Sequence, residues 1–439
     1  MKRLIWKKLL CWKNKPNRKP LILKGARQVG KTWILKEFGK EYFPSFHYIN
    51  FEKNTSLASV FKKDLDPVRI LDELSFFLNK GIDIEEDLIV FDEIQEVPEA
   101  LTSLKYFHEE MPNLRICAAG SLIGIHLNEM SFPVGKVEFL SMYPMSFEEF
   151  LMSTDDKGHR FISSFDPSNG IPDLVHQHLW EKLKRYFVVG GLPEAVLTYA
   201  NEKEDGYETF QRVREVQKNL ILAYQADMAK HSGKVNSMNI ERVWSNIPSQ
   251  LAKEINGSAP KYVFRGVLPN TSRFSALSGS IDWLEKAGLL IKTKIVNKSA
   301  LPLSAFVAGN AFKLYSFDVG ILGALGEINP KTILQYDYGN YQGYFAENFV
   351  AQEFLCSGAE ELYCWRENTA EIEFLREVEG ELLPIEIKSG WVTKAKSLKV
   401  YAEKYNPPYR TKFSANSFFL DRENNVHRYP LYLASKFPV

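Results

Sequence analysis

Leu21-Ile22-Leu23-Lys24-Gly25-Ala26-Arg27-Gln28-Val29-Gly30-Lys31-Thr32 is the stretch on which the fold turns. An apolar run leads straight into Gly-x-x-x-x-Gly-Lys-Thr, and a helical pattern from Trp33 to Phe38 follows. Strand, glycine loop and helix in that order are the context in which this string binds phosphate. Gly25 and Gly30 permit a tight turn, so that successive amides face one concavity. Together with the N-terminus of the following helix, those amides make an anion site suited to nucleotide phosphates. Lys31 is expected to reach the β- and γ-phosphates, and the Thr32 hydroxyl to sit on Mg²⁺. The expected contact set is Gly25, Ala26, Arg27, Gln28, Val29, Gly30, Lys31, Thr32 and Trp33.

Upstream, residues 3–13 predict an amphipathic helix packed on this domain. Lysines interrupt Leu4, Ile5, Trp6, Leu9, Leu10 and Trp12 before a signal-peptide core can build. The first forty residues carry a single acid, Glu37. That excess reads first as a solvated helix plus the loop's own cations, and second as a nucleic-acid or anionic-surface contact.

Downstream, a strand is expected at Phe46-His47-Tyr48-Ile49-Asn50-Phe51 and a helix around Val68 to Leu78. Asp87-Leu88-Ile89-Val90-Phe91-Asp92-Glu93 is an apolar run ending in two acids, the pattern of a buried parallel strand whose C-terminal end meets a ligand. Asp92 is expected to hold Mg²⁺ through water as the partner of Thr32. Glu93 is expected to polarise the attacking water, a role worth about 10²–10⁴-fold in rate. Leu114-Arg115-Ile116-Cys117-Ala118-Ala119-Gly120-Ser121 predicts a further core strand. Ser121 either senses the γ-phosphate or caps a following helix. It lacks the Gly-x-Ser-x-Gly context of a hydrolase nucleophile.

The chain has 439 residues, which on roughly 100–200 residues per domain suggests two to four domains. Net charge is +1, and the four cysteines (Cys11, Cys117, Cys356, Cys364) are scattered without a Cys-x-x-Cys pair. A reduced, cytoplasmic setting is the expectation. No apolar run reaches the ~18 residues of a membrane span.

At these residues the sequence resembles a group of prokaryotic AAA-type ATPases that carry a C-terminal domain of unknown function. The phosphate-loop stretch, Phe91-Asp92-Glu93-Ile94-Gln95 and Tyr143-Pro144-Met145-Ser146-Phe147-Glu148-Glu149-Phe150 bear the likeness. Lys313-Leu314-Tyr315-Ser316-Phe317-Asp318-Val319-Gly320 and Pro384-Ile385-Glu386-Ile387-Lys388 extend it to the tail. The resemblance implies an α/β architecture in four parts. These are an ATPase core over 1–140, a helical lid over 141–230, a winged-helix module over 231–325 and a restriction-endonuclease-like tail over 326–439. Gly190-Gly191-Leu192-Pro193 matches the family's lid motif, which by analogy lays Pro193 against the nucleotide; it also reads as one helix ending and the next starting. The chain departs from the family at Ala119-Gly120-Ser121, where Thr-Gly-Ser is usual, and at Gly135-Lys136, where Gly-Arg is usual. A lysine lacks the bidentate reach of an arginine, which bears on activation between neighbouring subunits of a homo-oligomer.

Helical patterns from Ile240 to Leu251 and from Ser272 to Leu284, then an alternating strand from Gly288 to Val296, fit a winged helix. Arg265, Arg273, Lys292 and Lys294 are its candidate DNA-phosphate contacts. The alternative is a module packed between domains with solvated lysines.

In the tail, Gly343 begins a helix that carries Glu347. Glu371-Ile372-Glu373-Phe374-Leu375 and Ile385-Glu386-Ile387-Lys388 read as alternating strands joined through a hairpin turn at Glu379-Gly380. Pairing them brings Glu373, Glu386 and Lys388 together with Glu347 as a further acid. That is the layout of a restriction-endonuclease-type site, with carboxylates on Mg²⁺ and a lysine at the transition state. Glu373 stands where such nucleases more often have Asp, and a metal misplaced by about 1 Å can cost ~10²-fold. A salt-bridged structural relic is the competing reading.

The expected reaction is hydrolysis of ATP to ADP and phosphate with Mg²⁺. Three uses of it stay open on sequence: an ATP-controlled nuclease, a non-cutting switch that binds DNA or a protein partner, and a ring-forming remodeller.

Overall fold

The structure is a computed structural model and describes residues 1–121, 132–202, 206–253, 261–269, 273–335, 342–391 and 396–439. Two units emerge, Met1–Tyr143 and Pro144–Val439.

In the first unit, Ile5, Leu9 and Trp12 recur at helical spacing and form the buried face of α1 (Ile5–Lys13). Trp6 packs on Phe38 and Tyr42, so this helix lies on the one that follows the phosphate loop, as the sequence leads one to expect. β1 (Leu21–Lys24) enters the loop and α2 (Lys31–Tyr42) leaves it. Then come β2 (Phe46–Asn50), α3 (Ala58–Lys63), α4 (Pro67–Leu78), β3 (Leu88–Asp92), α5 (Pro98–Glu110), β4 (Arg115–Gly120) and β5 (Glu138–Ser141). Asp66 caps α4 through the Val68 amide, with Pro67 in the first turn.

The five strands form one parallel sheet in the order β2-β3-β4-β1-β5. Every residue of β3 is buried, which is why it reads as an unbroken apolar run. β4 lies between the phosphate-loop strand and the acid-bearing strand, pairing Lys24 with Gly120 and Asp92 with Ala119. The loop, the two acids and Ser121 therefore leave the sheet at the same edge, the C-terminal ends where ligands bind in open α/β sheets.

The second unit begins with α6 (Phe147–Thr154), started by a capping box in which Ser146 and Glu149 satisfy each other's backbone amides. α7 (Asp156–Ser163), α8 (Asp173–Val189), α9 (Pro193–Asn201), α10 (Tyr207–Ser232), α11 (Lys234–Ser245), α12 (Ile247–Leu251) and α13 (Phe274–Lys286) follow. β6 (Leu290–Val296) and β7 (Val307–Ser316) precede α14 (Val319–Leu325), α15 (Pro330–Leu334) and α16 (Gln342–Cys356). The chain ends with β8 (Leu362–Glu367), β9 (Ala370–Val378), β10 (Glu381–Ile387), α17 (Lys396–Tyr405), β11 (Arg410–Ser414), β12 (Phe419–Asp421) and β13 (Val426–Pro430).

Eight of these strands make a single mixed sheet, β12-β13-β11-β10-β9-β8-β6-β7. The strand expected to be the wing, β6, pairs in parallel with β8 of the tail. A boundary drawn at residue 325 thus cuts a continuous sheet, because β8 completes the hydrogen bonding of β6. The hairpin at Glu379-Gly380 is present: Val378 pairs with Glu381, and both turn residues have positive φ, as a two-residue hairpin loop requires.

α16 joins segments that lie far apart in the sequence. Glu347, Asn348, Gln352 and Glu353 on it are all buried. Asn348 accepts from the Ser316 amide at 2.7 Å and donates to its carbonyl at 3.0 Å. Gln352 accepts from the Val319 amide, and Glu353 from the Phe147 amide at 2.9 Å. Asp318 in turn accepts from the Gly191 and Ile321 amides. A Cβ on Gly190, whose φ is +71°, would meet an Asp318 carboxylate oxygen at 2.3 Å, so only glycine fits. The chain at Phe147, at Gly190–Gly191 and from Ser316 to Ile321 is thus joined by one set of buried hydrogen bonds within the second unit.

Candidate functional site

At the sheet's edge in the first unit, Gln28 (φ 63°) and Gly30 (φ 97°) turn the backbone through left-handed conformations. Lys31 is 7% exposed, and its ammonium donates to the Gly25 and Ala26 carbonyls at 2.9 and 2.7 Å. Burial lowers its pKa to about 8 against the opposing charges of Glu93 and Asp92. The loop therefore holds its cation against its own carbonyls.

The Thr32 hydroxyl donates to the Asp92 carboxylate at 3.0–3.1 Å, joining loop and acid strand across β4. Tyr48 donates its hydroxyl to the same carboxylate at 2.6 Å, and the Asn50 amide reaches it at 3.3 Å. The Lys36 ammonium sits 3.8 Å above the Tyr48 ring. A hydroxyl and a carboxylate side by side at the end of a phosphate loop are the hard oxygen donors that Mg²⁺ takes alongside phosphates. The residues fit that ion.

Glu93 follows Asp92 in a left-handed conformation, φ 51° and ψ 46°. Its carboxylate accepts from the Gln95 amide at 2.6 Å. Burial raises its pKa above the usual carboxylate range, with the Gln95 contact opposing the rise. Arg27 donates from Nε to the Ser121 hydroxyl at 3.0 Å, so the Ser121 side chain faces the loop. A helix capped by Ser121 would fall on residues 122–131, outside those described. Trp33 is 42% exposed on the first turn of α2. Pro193 opens α9 in the second unit, where it serves as a helix-starting proline. Lys136, at the position of the family's arginine, pairs with Glu109 at 2.9 Å.

Tyr48, Asn50 and Gln95, which contact Asp92 and Glu93, were passed over by sequence reasoning. Their signal was present: Tyr48 and Asn50 alternate at the C-terminal end of a strand that pairs Asn50 with Asp92. Gln95 lies two residues beyond the acid pair.

In the second unit, Glu347, Glu373 and Glu386 are each at most 3% exposed. Glu386 pairs with Lys388 at 2.7 Å, and Glu373 accepts from the Ile387 amide at 3.3 Å. β9 has one extra residue between Ile372 and Leu375, opposite Tyr363 and Trp365. The strict alternation expected there is therefore broken in the stretch that holds Glu373. Burial drives the Glu373 pKa well up; Lys388 opposes this, while Glu347 and Glu386 add to it. The four expected residues do come within electrostatic reach of one another.

Three more were missed. Lys313, fully buried, contacts Glu347 at 3.4 Å and Glu371 at 2.5 Å, and Tyr315 donates to Glu347 at 2.8 Å. Burial pulls the Lys313 pKa down, but Glu347, Tyr315 and Glu371 outweigh it and raise the pKa well above the ordinary value. Their signal was the alternation of Lys313 and Tyr315 on β7. Among the described residues, no group of three or more His, Cys, Asp or Glu side chains is arranged to hold a metal ion.

Two of the four basic residues expected on a DNA-binding wing are engaged in ion pairs. Lys292 pairs with Glu285 at 3.2 Å and Lys294 with Glu361 at 2.5 Å. Arg265 is exposed in a short turn, and Arg273 precedes α13. No described helix is long and apolar enough to cross a membrane.

Residues 17–151 match the family described as AAA domain. Residues 180–332 match a domain of unknown function (DUF8612), and residues 342–432 another (DUF4143). No curated protein matches the chain. Among solved structures the chain is similar to a Walker-type ATPase of Pyrococcus abyssi, with 18% identity and a TM-score of 0.43 over 73% of this chain and 93% of that one. It is also similar to RuvB of Thermotoga maritima, with 13% identity and a TM-score of 0.27 over 66% and 88%. Both scores are under 0.5, so the fold of the first unit rests on the family match and on its own sheet order.

Proposed function

From the AAA-type P-loop domain at residues 17–151, we propose that this chain hydrolyses ATP to ADP and phosphate and passes its nucleotide state to the second unit. The observation that carries the reading is the Thr32–Asp92 contact, set beside Lys31 on one side and Glu93 on the other. Gly25 to Thr32 would cradle the phosphates, and Lys31 would exchange its loop carbonyls for phosphate oxygens. Thr32 and Asp92 would hold Mg²⁺, with Tyr48 and Asn50 fixing the carboxylate. Bound there, Mg²⁺ supplies charge neutralisation to the phosphates. Glu93 would accept a proton from the attacking water once released from Gln95, and Arg27 and Ser121 would meet the terminal phosphate.

Lys31→Ala should lose ATP binding, and Glu93→Gln should bind ATP while turnover falls about 10²–10⁴-fold. Equilibrium binding and phosphate release test both; wild-type turnover in either variant would place the chemistry elsewhere.

For the tail, the ion pairs favour a non-cutting role. Lys388 and Lys313 already neutralise Glu386 and Glu347, so those acids are committed to ammonium groups. We read the second unit as a nucleotide-responsive scaffold for a protein or DNA partner, with an ATP-regulated nuclease as the alternative.

A further inference from the structure

Arg3 stands just ahead of α1 and is 5% exposed. Its guanidinium donates from Nη1 to the Val29 carbonyl and from Nη2 to the Tyr143 carbonyl, each at 2.9 Å. Val29 belongs to the phosphate loop, and Tyr143 is the last residue of the first unit. The other end of the loop meets the same segment. The Met142 amide donates to the Lys24 carbonyl at 2.8 Å. A Cβ on Gly25 would come within 2.1 Å of the Met142 carbonyl, so the backbones there touch. Met142 and Tyr143 thus brace the loop at both ends, directly at Gly25 and through Arg3 at Val29.

The chemistry asks for arginine at this place. A planar fork presents separate donors to two carbonyls at once, which a lysine's point charge does not reproduce. In a trans peptide the carbonyl and the following amide point in opposite directions. Holding the Val29 carbonyl therefore aims the Gly30 N–H the other way, and Gly30 is the N-cap residue immediately before α2.

We propose that Arg3 is a positioning residue for nucleotide binding. It sets the Gly30 amide, and it ties the phosphate loop to the segment by which the chain leaves the first unit. The proposal rests on the ATP reading of the loop.

The test compares Arg3→Met and Arg3→Lys with the exposed neighbour Lys2→Ala. Two readouts are taken: kcat and KM for ATP, and hydrogen exchange of the loop amides without nucleotide. One charge-assisted pair of hydrogen bonds predicts a KM raised roughly tenfold in Arg3→Met, with kcat within about twofold. Faster exchange at residues 25–31 is expected alongside, and Lys2→Ala should match wild type. Added methylguanidinium should restore ATP affinity to Arg3→Ala, which a loss through general unfolding would not allow. Wild-type KM and wild-type loop exchange in folded Arg3→Met would overturn the proposal. If Arg3→Met does not fold, Arg3→Lys is read by the same criteria. Should the wild type bind no ATP, the nucleotide reading fails, and loop exchange alone decides whether Arg3 orders the loop.

Discussion

Lys31 shows how one side chain links burial, charge and ligand. Its pKa is lowered to about 8 by burial, while phosphate oxygens would favour the ammonium form. Above pH 8, nucleotide binding must then take up a proton. ATP affinity should be flat from pH 6 to 7 and about tenfold weaker at pH 9. Stability of the free protein moves the opposite way: between about 8 and ~10.4 the unfolded chain holds more protons, so stability rises with pH. Calorimetric titration at each pH reads the first effect. Lys31→Arg, which stays charged, should remove it. A wild-type affinity unchanged at pH 9 would contradict the burial argument. At this scale the grouping of Lys31, Thr32, Asp92 and Glu93 was legible, since a loop and an acid pair are local patterns. It was silent on Tyr48 because an aromatic hydroxyl on a strand carries no role until its neighbour is known.

At the scale of elements, the tail hairpin was legible from alternation and its two-residue turn. The bulge in β9 was not, because an extra residue shows only against the strand it opposes. Nor was Lys313, which lies on β7 and reaches acids on α16 and β9. Removing one member of a buried ion network leaves uncompensated charge, at a cost of about 3–5 kcal/mol. Lys313→Met should lower the stability of the second unit by about that amount in urea unfolding. The loss should persist at high salt, since buried pairs are poorly screened. A loss below about 1 kcal/mol would mean that Glu347 and Glu371 are relieved by another route.

Across the whole molecule, the question is what the nucleotide cycle drives. The pairing of tail acids with lysines predicts no DNA cleavage by the wild type with Mg²⁺ or Mn²⁺, with or without ATP. Plasmid and single-stranded DNA assays should match the Glu386→Ala, Lys388→Ala double variant; cutting that vanishes in that variant would reinstate the nuclease. The four-part division expected along the chain resolves into two units, and the reason is physical. A parallel partner for β6 lies some seventy residues away in β8, and sheet pairing of that kind leaves no mark in local sequence. By itself the sequence determined the phosphate-loop stretch, the acid pair and the tail hairpin, all of which arise from spacing within a few turns or one hairpin. Only the tertiary structure decided that β6 belongs to the tail's sheet, that Arg3 reaches the Val29 and Tyr143 carbonyls, and that Glu347 and Glu386 are paired with Lys313 and Lys388. Those outcomes depend on which groups share a low-dielectric interior, where each buried charge or amide must find a partner however far along the chain it lies.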